Sequence, residues 1–357
     1  MLSPFILHFL PITYFFVFFL STRNQRNIRA FNKLFLLLFV ITIVVALATY
    51  PDELNFDKSR YRMMYLSYLG ESSADLEYKD IGWSFYVLLC GKMLGWNVDF
   101  YFIFTAAVYI SGYYHFARHF FPKKTYGYFI VFAVGCLGFS AYGVNTIRAG
   151  IALSFFLHFM VLFVHKGTLW KYVAFFFAFC SILVHKSMII PFSAFILSKY
   201  LKNNIYYVSF WLICFMASAI NIDMSKLFDA FGFVDERVVD YIEGSNTISD
   251  YQSGFRIDFI IYSLVPMAFW SYYRLKKNID DIYTSHLVRM YLFSNAIWLL
   301  AIRIHYTDRL AYLSWFMIPM ILLLPIFNYQ GRFKSPQNAM LLVMAVFMTL
   351  PILLLFR

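Results

Sequence analysis

The chain has 357 residues, of which 61% are hydrophobic and 14% charged, with 30 Lys+Arg against 19 Asp+Glu and a net charge of +11. A soluble domain carries about a quarter charged residues, so this composition excludes a water-soluble globular fold. The positive charge sits in short loops between apolar runs, which argues against nucleic acid as its partner. Alternating period-two segments of a membrane barrel are absent, leaving α-helices as the means of satisfying the backbone in lipid.

In chain order, apolar spans are expected near 4–20, 33–50, 99–119, 127–143, 146–165, 170–184, 187–200, 205–221, 258–273, 287–302, 309–327 and 339–356. At about 20 residues per crossing, this is an all-α, polytopic membrane protein of about twelve spans, organised as a single transmembrane domain over 1–357. Phe5 to Leu20 lacks a basic leader and is followed by Arg23, Arg26, Arg29 and Lys33. That order fits a first span with its N-terminus outside.

The segment 81–96 admits three placements: a span, a re-entrant hairpin or an interfacial helix. If it does not cross, the loops 21–33, 117–126, 165–171, 199–204, 273–289 and 328–338 all face the cytoplasm. They then hold 17 of the 30 Lys+Arg and 2 of the 19 Asp+Glu, as the positive-inside rule favours. Both termini and the long loops 51–98 and 222–257 then lie outside. The four cysteines are scattered within apolar runs, so neither a metal site nor a disulfide framework is expected. No Gly-rich phosphate loop or nucleotide fold is visible, and no cofactor is expected.

Four polar clusters stand at outer span ends. In the first, Asp57, Tyr61 and Tyr65 recur at i, i+4 and i+8, so a carboxylate and two phenols share a helix face; Glu77 and Gly82 follow. Rings stack on sugar faces while an acid accepts a hydroxyl proton; the structural alternative is an interfacial helix with solvated charges. The second is Asn145-Thr146-Ile147-Arg148-Ala149-Gly150. Arg148 in an apolar helix either snorkels to a headgroup or clamps phosphate in bidentate fashion.

The third, His185-Lys186-Ser187, reads as a pair that holds pyrophosphate or shuttles a proton; the structural alternative is an ordinary polar turn. The fourth runs Arg303-Ile304-His305-Tyr306-Thr307-Asp308-Arg309, then Tyr312; its structural alternative is an ion-pair network within the loop. Loop 222–257 carries seven acids and apolar residues at helical spacing. It reads as an amphipathic cap or lid with Tyr241 and Tyr251 as stacking residues.

Taken together, Asp57 with Tyr61 and Tyr65, Glu77 before Gly82, Arg148-Ala149-Gly150-Ile151-Ala152, His185-Lys186-Ser187 and Arg309-x-x-Tyr312 resemble the EpsG family of Wzy-type polymerases for capsule, exopolysaccharide and O-antigen. The resemblance runs from about residue 50 to 315. It implies a GT-C-like membrane glycosyltransferase in the bacterial plasma membrane, with its active site facing the periplasm or exterior. Such an enzyme passes a growing glycan from undecaprenyl pyrophosphate onto the next lipid-linked repeat unit. Its partners would be that lipid-linked oligosaccharide, membrane lipids, and the flippase and chain-length regulator of the pathway.

The resemblance carries over Arg148, His185 and Arg309 as the family's polar pocket and Asp57 as its first-loop acid. With the chemistry of the leaving group, Asp57, Glu77, Arg148 and His185 are the expected catalytic residues, with Asp57 the first choice of base and Glu77 the second. Tyr61, Tyr65, Asn145, Lys186, Arg303, His305, Arg309 and Tyr312 are the expected substrate-binding residues. The sequence departs from the family pattern in placing Asp308 directly before Arg309. Competing classes are another lipid-linked-glycan transferase, such as an O-antigen ligase or an acyltransferase, and a lipid-linked-oligosaccharide flippase or transporter. A transporter should show matched repeats with polar residues at mid-membrane, which the sequence lacks.

The charge distribution makes a topology prediction. In intact cells, single cysteines at positions 57, 148, 185 and 309 should label with an impermeant thiol reagent, and one at 123 should not. Protection at 57 together with labelling at 123 would reverse the orientation.

Overall fold

A computed structural model describes residues 6–7, 9–16, 28–70, 80–220, 254–304 and 307–355. Glu77, His305, most of loop 222–257 and its Tyr241 and Tyr251 lie outside them. The described chain is all-helical, with fifteen α-helices and no strand. Two compact units are distinguished, residues 1–188 with 337–357, and residues 189–336.

The first unit contains α1 (Ile28–Ala48), α2 (Phe56–Leu69), α3 (Ile81–Leu88), α4 (Val98–Phe120), α5 (Tyr126–Gly135), α6 (Phe139–Val144), α7 (Ile147–Val164), α8 (Thr168–Val184) and most of α15 (Pro336–Leu355). The second contains α9 (Ile189–Tyr200), α10 (Asn204–Ala219), α11 (Ile257–Lys277), α12 (Ile282–Leu300), α13 (Asp308–Trp315) and α14 (Ile318–Asn328).

Helices form where the sequence expects spans, with corrections at the breaks. The expected span 127–143 is two helices, because the chain turns at Cys136–Gly138 with Gly138 in the left-handed region (φ +94°), where a residue with a Cβ is disfavoured. The span 309–327 breaks at Phe316 and Met317, before Pro319 at the start of α14. Proline has no N–H to continue the preceding turn. Among the described residues, two helical stretches are long and apolar enough to cross a membrane, Ile147–Val164 and, counted across its break, Asp308–Asn328.

The distribution of side chains is that of a protein in lipid. On α1, Leu34, Leu37, Leu38, Ile41 and Val45 are exposed, while Leu36, Phe39, Ile43 and Leu47 are buried. On α8, Phe175, Phe176 and Phe179 face outward, and the inward face is built of Ala174, Ala178 and Ser181. Large residues outside and small ones between helices are the pattern of membrane packing. The Ser181 hydroxyl donates to Ala152 O of α7 at 2.7 Å. Apolar stripes of this extent have no place against water.

The helices α4 and α7 run parallel. Tyr109 lies against Gly150, the Gly112 N–H donates to Ser154 Oγ at 3.1 Å, His115 meets His158 at 2.7 Å, and His119 packs on His165 with ring centroids 4.8 Å apart. Both helices therefore begin at the same end of the unit. Since Asp80 pairs with Arg148 in the first turn of α7 and α4 begins at Val98, the segment 81–96 starts and finishes at that end. Its helical part, Ile81–Met93, rises only about 20 Å, short of the ~30 Å apolar core. It runs beside the start of α4, with Tyr86 hydrogen-bonded to Thr105 and Trp96 packed on Phe100.

A polar core ties the second unit together. The Asn295 amide donates to Ser263 Oγ at 3.2 Å and Ser314 Oγ at 3.0 Å, and its oxygen accepts from Trp211 Nε1 at 2.8 Å. Trp315 Nε1 donates to the same Ser263 hydroxyl at 2.8 Å. Asn295→Leu, although more apolar, should therefore destabilise this unit by about 1–3 kcal/mol, the cost of orphaning buried donors. A lowered thermal unfolding midpoint in detergent is the expected result; an unchanged midpoint would show that the network is dispensable.

Candidate functional site

One end of the first unit gathers the start of α2, the start of α3, the start of α7 and the end of α8. Local sequence explains each approach. Asn55 caps α2, its Oδ1 accepting from the Lys58 N–H at 2.8 Å, and its Nδ2 donates to Asn145 Oδ1 at 2.5 Å. That bond joins α2 to the turn before α7. Lys58 is fully buried, and its ammonium donates to Leu47 O, Ala48 O and Tyr50 O at 3.1, 2.6 and 2.7 Å. It closes the carbonyl end of α1, where a cation is favoured. Burial pushes its pKa down to about 8, so the ammonium persists at neutral pH.

The approach of α3 to α8 depends on Gly82. A Cβ there would stand 2.6 Å from the Leu183 carbonyl carbon, so only glycine lets the two backbones touch. The contact sets Asp80, the residue that precedes α3, beside the last turn of α8. There the Asp80 carboxylate receives Arg148 Nη1 in an ion pair, and His185 Nδ1 lies 3.9 Å from the same Oδ2. The two side chains of the pair are 14% and 10% exposed. Lys186, the next residue after the histidine, is exposed.

Burial alone would raise the Asp80 carboxyl, but His185, Arg148 and Lys186 outweigh it and hold its pKa below the usual 3.8. His185 moves the other way for its type. Burial, and secondly the Arg148 charge, lower its pKa below 6.5 against the opposing pull of Asp80. The outcome is an ionised carboxylate, a fixed guanidinium and a neutral imidazole within one cluster. A neutral imidazole accepts a proton; a guanidinium and an ammonium stabilise phosphate charge.

Of the expected residues, Arg148, His185, Asn145 and Lys186 come together at this end. Asp57 lies there too, half-buried in the first turn of α2. The tyrosines are a correction to the expected stacking face. Tyr65 is fully buried, stacked on Tyr101 with centroids 4.1 Å apart, and its hydroxyl donates to Trp96 O at 2.8 Å. Tyr61 is 6% exposed and edge-on to Trp83. Both rings pack α2 against the 81–96 segment and the start of α4, so neither presents a face to a sugar. Asp80 was not expected; the available signal was an acid standing directly before an apolar segment too short to cross.

In the second unit, Arg303 is exposed and donates to Ser218 O at 3.4 Å, with its guanidinium 5.2 Å from the Phe255 ring centre. Asp308 opens α13 and accepts the Tyr312 hydroxyl at 2.8 Å. The acid before Arg309 thus anchors a buried tyrosine one turn on, at a helix start where a negative charge is favoured. Arg309 is half-buried in the same turn.

Breaking a buried ion pair is costly where removing both partners is not. Asp80→Leu should destabilise the protein by about 3–5 kcal/mol, and Asp80→Leu with Arg148→Met should recover most of it. The Asp80 contribution is full above pH 3.8 and lost as pH falls through its depressed value. If the double variant regains thermal stability but not activity, the pair acts in function as well as in packing. If it regains both, the pair is only a tether.

No curated protein matches the chain. No solved structure matches it. The profile of the EpsG family matches residues 34–357, a stretch that contains every described member of the cluster. The chain belongs to the EpsG family, which is associated with Wzy-type polymerases.

Proposed function

We propose that this membrane protein polymerises glycan repeat units, moving the growing chain from undecaprenyl pyrophosphate onto the next lipid-linked unit at the outer face of a bacterial plasma membrane. About twelve spans, a GT-C-like architecture and an outward-facing site complete the reading. Family membership supports a polysaccharide polymerase in coarse terms. The observation that carries the chemistry is the neutral imidazole of His185 held beside the Asp80–Arg148 pair.

In this reading an acceptor hydroxyl attacks the anomeric carbon of the donor glycan. The bond from that carbon to the pyrophosphate oxygen breaks, and undecaprenyl pyrophosphate leaves with the electron pair. His185 takes the hydroxyl proton, which moves the role of base away from Asp57. Asp80 positions the imidazole and the guanidinium. Arg148 and the exposed Lys186 lie against the charge that grows on the leaving group, where preorganised donors act most strongly in a poorly hydrated site. In this reading the 81–96 segment stays at the membrane edge, where a lipid-linked donor arrives.

The test is purified protein in nanodiscs with a synthetic undecaprenyl-pyrophosphate-linked repeat unit, read as a ladder of multimers. His185→Ala should lower the rate by about a hundredfold or more, the usual cost of losing a general base, while Asp57→Asn should cost much less. Arg148→Lys should retain partial activity, since an ammonium keeps the charge and loses the planar fork. The wild-type rate should rise with pH with its midpoint below 6.5, because burial lowers the His185 pKa beneath its ordinary 6.5. Absence of multimers from folded protein would sink the polymerase reading. A ladder that survives His185→Ala and collapses in Asp57→Asn would return the base to Asp57.

A further inference from the structure

The second unit holds a cavity of about 670 Å³ at the end of α12 away from Arg303. It lies where α10 begins, α11 ends and α12 begins. Its polar lining comprises Lys202, Arg274, Arg289, Asp280, Asn204 and Ser285, so three cations meet one carboxylate. None of these residues belongs to the Asp80–Arg148–His185 cluster.

Arg289 is 6% exposed and rises from α12 into this lining. Its Nε donates to Ser198 O at 3.3 Å, and Nη1 donates to Lys202 O at 3.2 Å and Asn204 Oδ1 at 3.1 Å. Its second terminal nitrogen makes no hydrogen bond among the described residues. Lys202 is exposed, and among the described residues its ammonium has no ion pair or hydrogen bond. Arg274 has only a loose partner, Asp280 at 3.5 Å, and rests over the Trp270 ring. A buried guanidinium with an unused donor is costly unless a ligand or water meets it. The first turns of α10 and α12 also line the cavity, with their leading N–H groups already capped by Asn203 and Asp281.

We propose that this cavity binds a phosphate group, presented either by an anionic lipid headgroup or as a free phosphate. Ile205, Val208 and Ile282 form an apolar side of the same cavity, which suits the glycerol and upper chains of a lipid. Asp280 limits the affinity, because it offers carboxylate charge to the same cations. The proposal does not depend on the polymerase reading.

The test uses the full-length protein in detergent, titrated with phosphatidylglycerol, cardiolipin or phosphatidylcholine, and separately with inorganic phosphate, with binding read by native mass spectrometry and thermal shift. The anionic lipids should bind in preference to phosphatidylcholine. The Lys202→Gln, Arg274→Gln double variant should bind them about tenfold or more weakly, the scale expected for two basic contacts. Asp280→Asn should tighten binding several-fold; this opposite sign keeps the test decisive should the double variant misfold. Inorganic phosphate binding with the same variant pattern, without lipid preference, would assign the cavity to a free anion. Equal binding by wild type and folded variants, or no anion binding at all, would overturn the proposal.

Discussion

The carboxylate of Asp80 is shared by a guanidinium and an imidazole, and the arrangement of the first unit follows from the need to bring those three groups together. The two basic groups stand on helices that run in opposite directions, Arg148 at the start of α7 and His185 at the end of α8. Neither helix supplies an acid at that level. The acid arrives on a third segment, at the residue directly before α3. Gly82 makes this possible, since its missing side chain lets α3 touch the backbone of α8 at Leu183. Trp83, fully buried next to it and stacked on Tyr86, fixes the rotation of α3 and so the direction of Asp80.

The surroundings decide what these groups are worth. Where apolar side chains cover the outside of the helices, polar groups inside have no water to fall back on. Burial drives such groups to pair or to shift their protonation. Lys58 does the first, spending three donors on three carbonyls. Asn295 does the same with Trp211, Ser263 and Ser314. His185 does the second: burial and a neighbouring guanidinium favour its neutral form. The same physics thus gives scaffold in two places and a proton acceptor in the third.

Much of this was legible in the sequence, and the reason is periodic. Long apolar runs punctuated by basic turns give the positions of α1, α4, α7, α8 and α10 to α12, because helix in lipid leaves the chain few other choices. Arg148 and His185 stood out since a charge beside an apolar run demands a partner. The partner itself did not stand out. Asp80 precedes its arginine by 68 residues, and no local spacing connects them; only the approach of α3 to the end of α8 does. The Asp57, Tyr61, Tyr65 face was real as helix geometry, yet its two rings turn inward to Trp83 and Tyr101. Spacing shows that residues share a face, not what that face meets.

Charge balance in the cluster bears on how it could act on a pyrophosphate. Arg148 and Asp80 cancel, so with His185 neutral the group is close to uncharged until Lys186 is counted. A cluster of three free cations would hold a dianionic product tightly and release it slowly. A compensated guanidinium still directs its N–H dipoles at a developing charge while adding little to ground-state attraction, and that difference is what accelerates a step. Protonation of the imidazole during transfer adds a positive charge at the moment the leaving group gains its negative one. In the proposed reaction, the neutral resting state of His185 would therefore couple proton removal from the acceptor to stabilisation of the departing lipid carrier.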